Sequence, residues 1–209
     1  MSRGRFITFE GVEGVGKTTQ LERLKATLEA AGREVVATRE PGGTPLAERI
    51  RELVLHETAE PVPVAAELLL MFAARAVHTE NLLRPALARG AWVLCDRYTD
   101  APYAYQGAGR GVADADIEPL ARLAQRGLAP DLTILLDAPV ATALERARAR
   151  RGRADRIEAE TVAFFERVRA RYLALAAAAP GRMAVVDAGR APAAVARDVA
   201  RAVDALAAR

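Results

Sequence analysis

The chain has 209 residues, 51% hydrophobic and 27% charged, with 30 basic against 27 acidic side chains and a formal net charge of +3. That length supplies a sizeable core in one domain spanning residues 1–209, and the composition excludes a disordered chain, a collagen-like fibre and a disulfide scaffold. One cysteine, Cys95, leaves no internal disulfide, and His56 and His78 are too few for a zinc site without many carboxylates.

The first apolar run, Phe6–Phe9, is broken at Glu10, too soon for a secretory signal. No window reaches 18 apolar residues, so no membrane helix is expected and a cytoplasmic protein is the default. The basic residues are 28 Arg and 2 Lys, Lys17 and Lys25, which makes the position of a lysine informative.

Short, nearly continuous apolar runs predict strands at Phe6–Phe9, Val35–Ala37, Trp92–Cys95, Leu132–Leu136 and Met183–Val186. Such runs suit strands buried on both faces, as in a parallel sheet. Helical spacing predicts helices at Thr18–Ala31, Pro45–His56, Val64–Arg89, Asp114–Arg126, Val140–Arg150, Glu158–Ala179 and Pro192–Ala208. The alternation implies an α/β fold, a five-stranded parallel sheet with helices on both faces.

Between the first strand and the first helix lies Gly11-Val12-Glu13-Gly14-Val15-Gly16-Lys17-Thr18, a match to G-x-x-x-x-G-K-[ST] in the strand–loop–helix setting that gives the motif meaning. Glycines let successive backbone N–H groups turn towards an anion, and the helix N-terminus adds its positive end. Lys17 is placed to reach the β/γ-phosphates of a nucleotide, and the Thr18 hydroxyl to ligate Mg²⁺. This is the P-loop NTPase signature. No Asn-Lys-x-Asp stretch for guanine recognition accompanies it.

The strand Trp92–Cys95 leads to Asp96 and then Arg97, where a water-activating ATPase would carry a carboxylate. A guanidinium at a strand's C-terminal end suits a second phosphate, which favours a phosphotransferase. Asp96 is a candidate for the Mg²⁺ shell, with a cap or a partner of Arg97 as the alternative. Arg39 faces either an acceptor phosphate or solvent. Arg51 is the other arginine considered for that phosphate.

Three further motifs follow the P-loop: Arg39-Glu40-Pro41-Gly42-Gly43-Thr44, Asp96-Arg97-Tyr98, and Ala104-Tyr105-Gln106-Gly107-Ala108-Gly109-Arg110-Gly111. In order and spacing they resemble the thymidylate kinase family, from about Phe6 to Tyr172, and Asp155-Arg156-Ile157-Glu158 resembles the end of its lid. The resemblance implies transfer of the ATP γ-phosphate to dTMP, with Mg²⁺, in a homodimer. It implies that Arg97 holds the acceptor phosphate, that Glu13 bonds the deoxyribose 3′-hydroxyl, that Arg75 bonds a thymine carbonyl, and that Tyr105 excludes a ribose 2′-hydroxyl. Gln106 supports either the base or its helix.

Two positions depart from the family pattern. The residue one turn before Arg75, where the family has a base-stacking aromatic, is Met71, with Phe72 beside it. Either Met71 packs on the base or a helix irregularity brings Phe72 in; Phe72 is the favoured base-binding residue, with a place in the core as its alternative. Ala101 and Pro102 stand where the family has a hydroxyl or amide residue. These departures keep open a kinase for another acceptor, such as dUMP or a deoxynucleoside. A nucleotide-binding regulator without transfer activity is a more distant rival.

Six arginines, at 146, 148, 150, 151, 153 and 156, crowd residues 145–158. Against Glu145, Asp155 and Glu158 they leave +3, formally the whole surplus of the chain. The segment has no stacking aromatics, which argues against nucleic acid. It looks like the lid of a nucleoside-monophosphate kinase. Val15 supplies no cation from the loop, so the lid must, with Arg150 or Arg153 as the favoured catalytic residues.

Overall fold

The structure, a computed structural model, describes residues 4–56, 60–149 and 156–207. Five strands, β1 (Phe6–Glu10), β2 (Val35–Arg39), β3 (Trp92–Asp96), β4 (Leu132–Asp137) and β5 (Met183–Asp187), form one parallel sheet in the order β2-β3-β1-β4-β5. All pairings are parallel, with Ile7 opposite both Leu94 and Leu132. Every residue of β1 is buried, as a central strand covered on both faces requires.

Each strand runs to a charged residue beyond its apolar core: Glu10, Arg39, Asp96, Asp137 and Asp187. From β1 the chain passes first to β2 and β3 on one side, then to β4 and β5 on the other. The reversal opens a crevice at the carboxyl ends of β1 and β3, where α/β sheets bind ligands.

The helices are α1 (Lys17–Ala30), α2 (Pro45–Leu55), α3 (Val64–His78), α4 (Arg84–Ala88), α5 (Asp114–Gln125), α6 (Val140–Ala149), α7 (Val162–Ala178) and α8 (Pro192–Ala207). Local chemistry sets their ends. The Thr44 hydroxyl caps α2 by accepting the Ala47 N–H, with Pro45 in the first turn. The Thr161 hydroxyl accepts the Phe164 N–H, so α7 starts at Val162, later than the predicted Glu158.

The predicted helix Val64–Arg89 is interrupted. A π-helical turn, Thr79–Leu83, separates α3 from α4. Pro85 explains the break: it has no N–H to donate and its ring crowds the carbonyl of the preceding turn, so that turn widens.

A second π-helical segment, Tyr103–Gly109, lies where the sequence predicts no element. Its glycines admit neighbours: a side chain at Gly109 would run into the Phe164 ring on α7. Packing of α7 against this segment buries Tyr105 and Gln106.

Candidate active site

Gly11 and Gly16 have φ of +129° and +96°, which side-chain-bearing residues rarely adopt. Gly14 has φ +78° and is tight in space too: a Cβ there would strike the backbone of Ala143 on α6. Gly16 begins α1 with no side-chain cap and no acidic residue in the first turn, which leaves N–H groups directed at the loop's concavity.

The buried Lys17 folds over that loop, its ammonium donating to the carbonyls of Gly11 at 3.0 Å and Val12 at 3.1 Å. Burial, with the Arg97 charge as the second cause, lowers its pKa to about 8; Asp96, Glu13 and Glu10 oppose the shift. The Thr18 hydroxyl lies 3.5 Å from the Asp96 carboxylate at the end of β3. Among the described residues no three His, Cys, Asp or Glu cluster as a metal cage. A hydroxyl and one carboxylate beside a phosphate loop fit Mg²⁺, which takes few protein ligands and completes its shell with phosphate oxygens and water.

Arg97 follows β3 with φ +72°, a left-handed conformation costly for a residue with a Cβ. That turn aims its guanidinium back at the P-loop. Nη1 donates to the Gly11 carbonyl at 2.7 Å and Nη2 to the Glu13 carboxylate at 2.6 Å. The guanidinium also covers the Tyr105 ring, 4.7 Å from its centroid. Glu13 therefore turns inward and also accepts the Tyr105 hydroxyl, at 2.8 Å and 2.9 Å for its two oxygens.

Beneath this cluster the buried Glu10 accepts the Tyr98 N–H and the Tyr172 hydroxyl, both at 2.7 Å, and that hydroxyl lies 3.5 Å from Arg97 Nη1. Burial, with the neighbouring Asp100 charge, pushes the Glu10 carboxyl up to about 7. Neither Glu10 nor Tyr172 is predicted as a site residue. Glu10 had a signal, an acid ending a largely apolar run; Tyr172, 75 residues beyond Arg97, had none.

One cavity of about 740 Å³ joins these parts. It is lined by the P-loop residues from Glu13 to Thr18 and by Arg39, Asp96, Arg97, Tyr105 and Gln106. Towards the β5–α8 connection it reaches Arg146, Arg190 and Pro192, and towards α2 and α3 it reaches Leu55 and Met71. Arg190, a residue with no site role predicted, thus enters the lining, while Arg146 is held by the Ala188 carbonyl at 2.8 Å.

Arg39 is half-exposed and paired with Glu48 at 2.8 Å; Arg51 donates to the Pro41 carbonyl at 2.8 Å. Arg75 is buried: Nε donates to Glu40 at 2.7 Å and Nη2 to the Tyr98 carbonyl at 2.6 Å, while Nη1 finds no hydrogen-bond partner among the described residues. Glu40 stays a carboxylate: burial alone would raise it, but Arg75 and His78 outweigh that and hold it below its ordinary value.

Arg75 does not reach the cavity lining, and neither does Phe72. Phe72 sits in a core cluster with Leu68, Ile117, Ala121 and Ala124, its ring 5.1 Å from the Arg75 guanidinium. Helix α3 is regular here, so residues 71 and 72 point about 100° apart and Met71 takes the cavity side. The interruption that was to swing Phe72 inward comes later, at Thr79.

Of the lid, Arg150 and Arg153 lie outside the described residues. Arg148 is exposed at the end of α6. Arg156 is engaged below, donating to the Val54 carbonyl at 3.0 Å and to Glu67 at 2.6 Å.

A thymidylate kinase family model matches residues 9–199. A thymidylate kinase of Teredinibacter turnerae is 56% identical over 202 residues, covering 97% of this chain and 98% of its own. One from Methylococcus capsulatus is 55% identical over 206 residues, covering 99% and 98% respectively. The crystal structure of thymidylate kinase from Ehrlichia chaffeensis superposes with a TM-score of 0.79 at 31% identity, covering 97% of this chain and all of that one. The chain belongs to the thymidylate kinase family.

Proposed function

We infer that this chain transfers the γ-phosphoryl group of ATP to dTMP, giving dTDP, by direct in-line displacement within one kinase domain. Its family carries that activity, and the cavity supports it. One continuous space is lined by a phosphate loop and by an arginine at a strand end, hydrogen-bonded to that loop. A nucleotide-binding regulator would need only the first of these.

In this reading the P-loop from Gly11 to Thr18 cradles the ATP phosphates and Lys17 sits on the β/γ oxygens. Thr18 and Asp96 would hold Mg²⁺, which would supply positive charge to neutralise the donor phosphates. Arg97 fixes the acceptor phosphate in line with the γ-phosphate, and Arg39 stands at the rim of that site. Glu13, already turned inward, accepts the 3′-hydroxyl. Tyr105 fills the space a 2′-hydroxyl would need.

Arg75 Nη1, a buried donor without a partner among the described residues, is offered to a thymine carbonyl. Met71 replaces the family's aromatic as the apolar neighbour of the base, with Phe72 supporting Arg75 from behind. Phosphoryl transfer needs positioning and charge stabilisation more than a strong base. Arg150 and Arg153 are assigned the closing cations.

An ADP-release assay across dTMP, dUMP, UMP and thymidine tests this. We expect dTMP to be the best acceptor and thymidine to give no turnover. Thymidine as the one good acceptor would overturn the reading.

No helix among the described residues is long and apolar enough to cross a membrane, which fits the cytoplasmic location we propose. We propose a homodimer as well. Leu46 and Leu53 on α2 and Leu69 on α3 are each more than half exposed, on two helices packed against each other. Sedimentation should give twice the chain mass, and Leu53→Glu with Leu69→Glu should halve it; a wild-type monomer at micromolar concentration would refute the pairing.

A further inference from the structure

We propose that Glu67 is the positioning residue that sets base specificity: its carboxylate locks the Gln106 amide so that an acceptor oxygen, and not the NH₂ group, faces the acceptor base. This rests on the dTMP reading and names the device behind it.

Helix α3 presents Glu67, Met71 and Arg75 on successive turns of one buried stripe, and Met71 lines the cavity. At one end of the stripe Arg75 keeps Nη1 unpaired; a guanidinium has donors only. At the other end Gln106, itself a lining residue, donates from Nε2 to Glu67 Oε1 at 2.8 Å. Its Oε1 is buried with no hydrogen-bond partner among the described residues. Among the described residues four buried side-chain polar atoms lack a partner, Gln20 Oε1, Arg75 Nη1, Gln106 Oε1 and Arg110 Nη2; of these, Arg75 Nη1 and Gln106 Oε1 flank Met71 with opposite character, and a ligand between them would pair both.

An amide can be turned over, exchanging donor for acceptor, unless its partner forbids it. Glu67 forbids it. An ionised carboxylate only accepts, so the NH₂ of Gln106 must face it; the flipped amide would set oxygen against oxygen. Two guanidinium groups keep Glu67 ionised: Arg110 Nε lies 3.1 Å from Oε1 and Arg156 Nη2 lies 2.6 Å from Oε2. Burial would raise its pKa, but these contacts and the Gln106 amide hold it below the ordinary value.

Gln106 on the cavity wall and Arg75 behind it on the α3 stripe therefore supply one acceptor and one donor in fixed senses. The O4 and N3–H of a thymine ring complement that pair. The N4 amine and bare N3 of cytosine oppose it at both positions, and a site with buried polar groups rejects a ligand that leaves them unpaired. Ala101 and Pro102 provide no side-chain hydrogen bond for the base, so the discrimination falls on Gln106.

The test compares dTMP with dCMP, which share sugar and phosphate. A glutamine at 67 donates or accepts, so it releases the Gln106 amide. For Glu67→Gln the ratio of kcat/KM for dTMP over dCMP should fall by at least about tenfold. The fall should come through KM for dTMP with kcat nearly kept, and Glu67→Asp should restore part of the ratio. Gln106→Leu should raise KM for dTMP but not for dCMP.

If Gln106→Leu leaves KM for dTMP unchanged, Gln106 is not at the base and the pocket reading fails. If Gln106→Leu acts but Glu67→Gln lowers both acceptors equally, Glu67 is merely structural and the proposal is overturned. Should Glu67→Gln not fold, the wild-type enzyme with dTMP decides. Its Gln106 side-chain amide resonance, assigned by its loss in Gln106→Leu, should exchange slowly with solvent, and exchange as fast as that of an exposed glutamine would overturn the lock.

Discussion

Replacing Arg97 with alanine should lower kcat/KM for dTMP by about 10³-fold, because truncating one partner of a buried charge pair costs about 2–5 kcal/mol. The guanidinium is only 14% exposed and holds Glu13 at 2.6 Å. Its loss removes the cation we propose for the acceptor phosphate and leaves the Glu13 carboxylate without a counter-charge beside the P-loop, with only the Tyr105 hydroxyl bonded to it among the described residues, so KM for ATP should rise too. Arg97→Lys should recover little, since a point ammonium cannot span the Gly11 carbonyl and Glu13 as the fork does.

The backbone offers a control. A left-handed φ of +72° costs a Cβ-bearing residue about 1–2 kcal/mol. Arg97→Gly should therefore melt higher than Arg97→Ala while being equally inactive. Steady-state kinetics with both substrates and thermal unfolding of the three variants check this; an alanine variant within tenfold of wild type would remove Arg97 from the reaction.

What the sequence made legible depended on how local the cause was. The P-loop is written in eight consecutive residues between a strand and a helix, and Lys17, Thr18, Asp96 and Arg97 all line the resulting cavity. The sheet was legible because each strand is a short apolar run, although each extends to a charged residue. Met71 and Phe72 were not separable, because the choice depends on which face of α3 meets the cavity. The Tyr103–Gly109 segment has two glycines and no helical apolar spacing, and its form depends on packing against α7. Glu67 was invisible for the same reason as Tyr172: its partners Gln106, Arg110 and Arg156 lie 39, 43 and 89 residues away.

Lys17→Met should abolish transfer, by at least about 10³-fold in kcat as for the loss of a principal phosphate-stabilising group, and yet make the protein more stable at neutral pH. The lysine is buried with its pKa lowered from 10.5 to about 8. A base with a depressed folded value contributes stability above its unfolded pKa and loses it as pH falls through the folded one. At pH 7 this group thus opposes folding, by about 3 kcal/mol for a shift of this size. The methionine variant should melt higher than wild type at pH 7, with the difference closing towards pH 10.5.

In the wild-type enzyme kcat/KM for ATP should hold below pH 8 and decline above it, as the free enzyme loses the cation that the phosphates require. A profile flat through pH 9, or a methionine variant that melts lower at pH 7, would refute the assignment. The stability cost follows from the task. The carbonyls of Gly11 and Val12 hold the buried ammonium where the loop leaves its N–H groups and the helix N-terminus for an anion. Burial takes that ammonium out of water and the Arg97 charge adds to the cost, which Asp96, Glu13 and Glu10 only partly offset. Bound phosphate counters that cost, raising the lysine pKa and returning the lost stability as affinity.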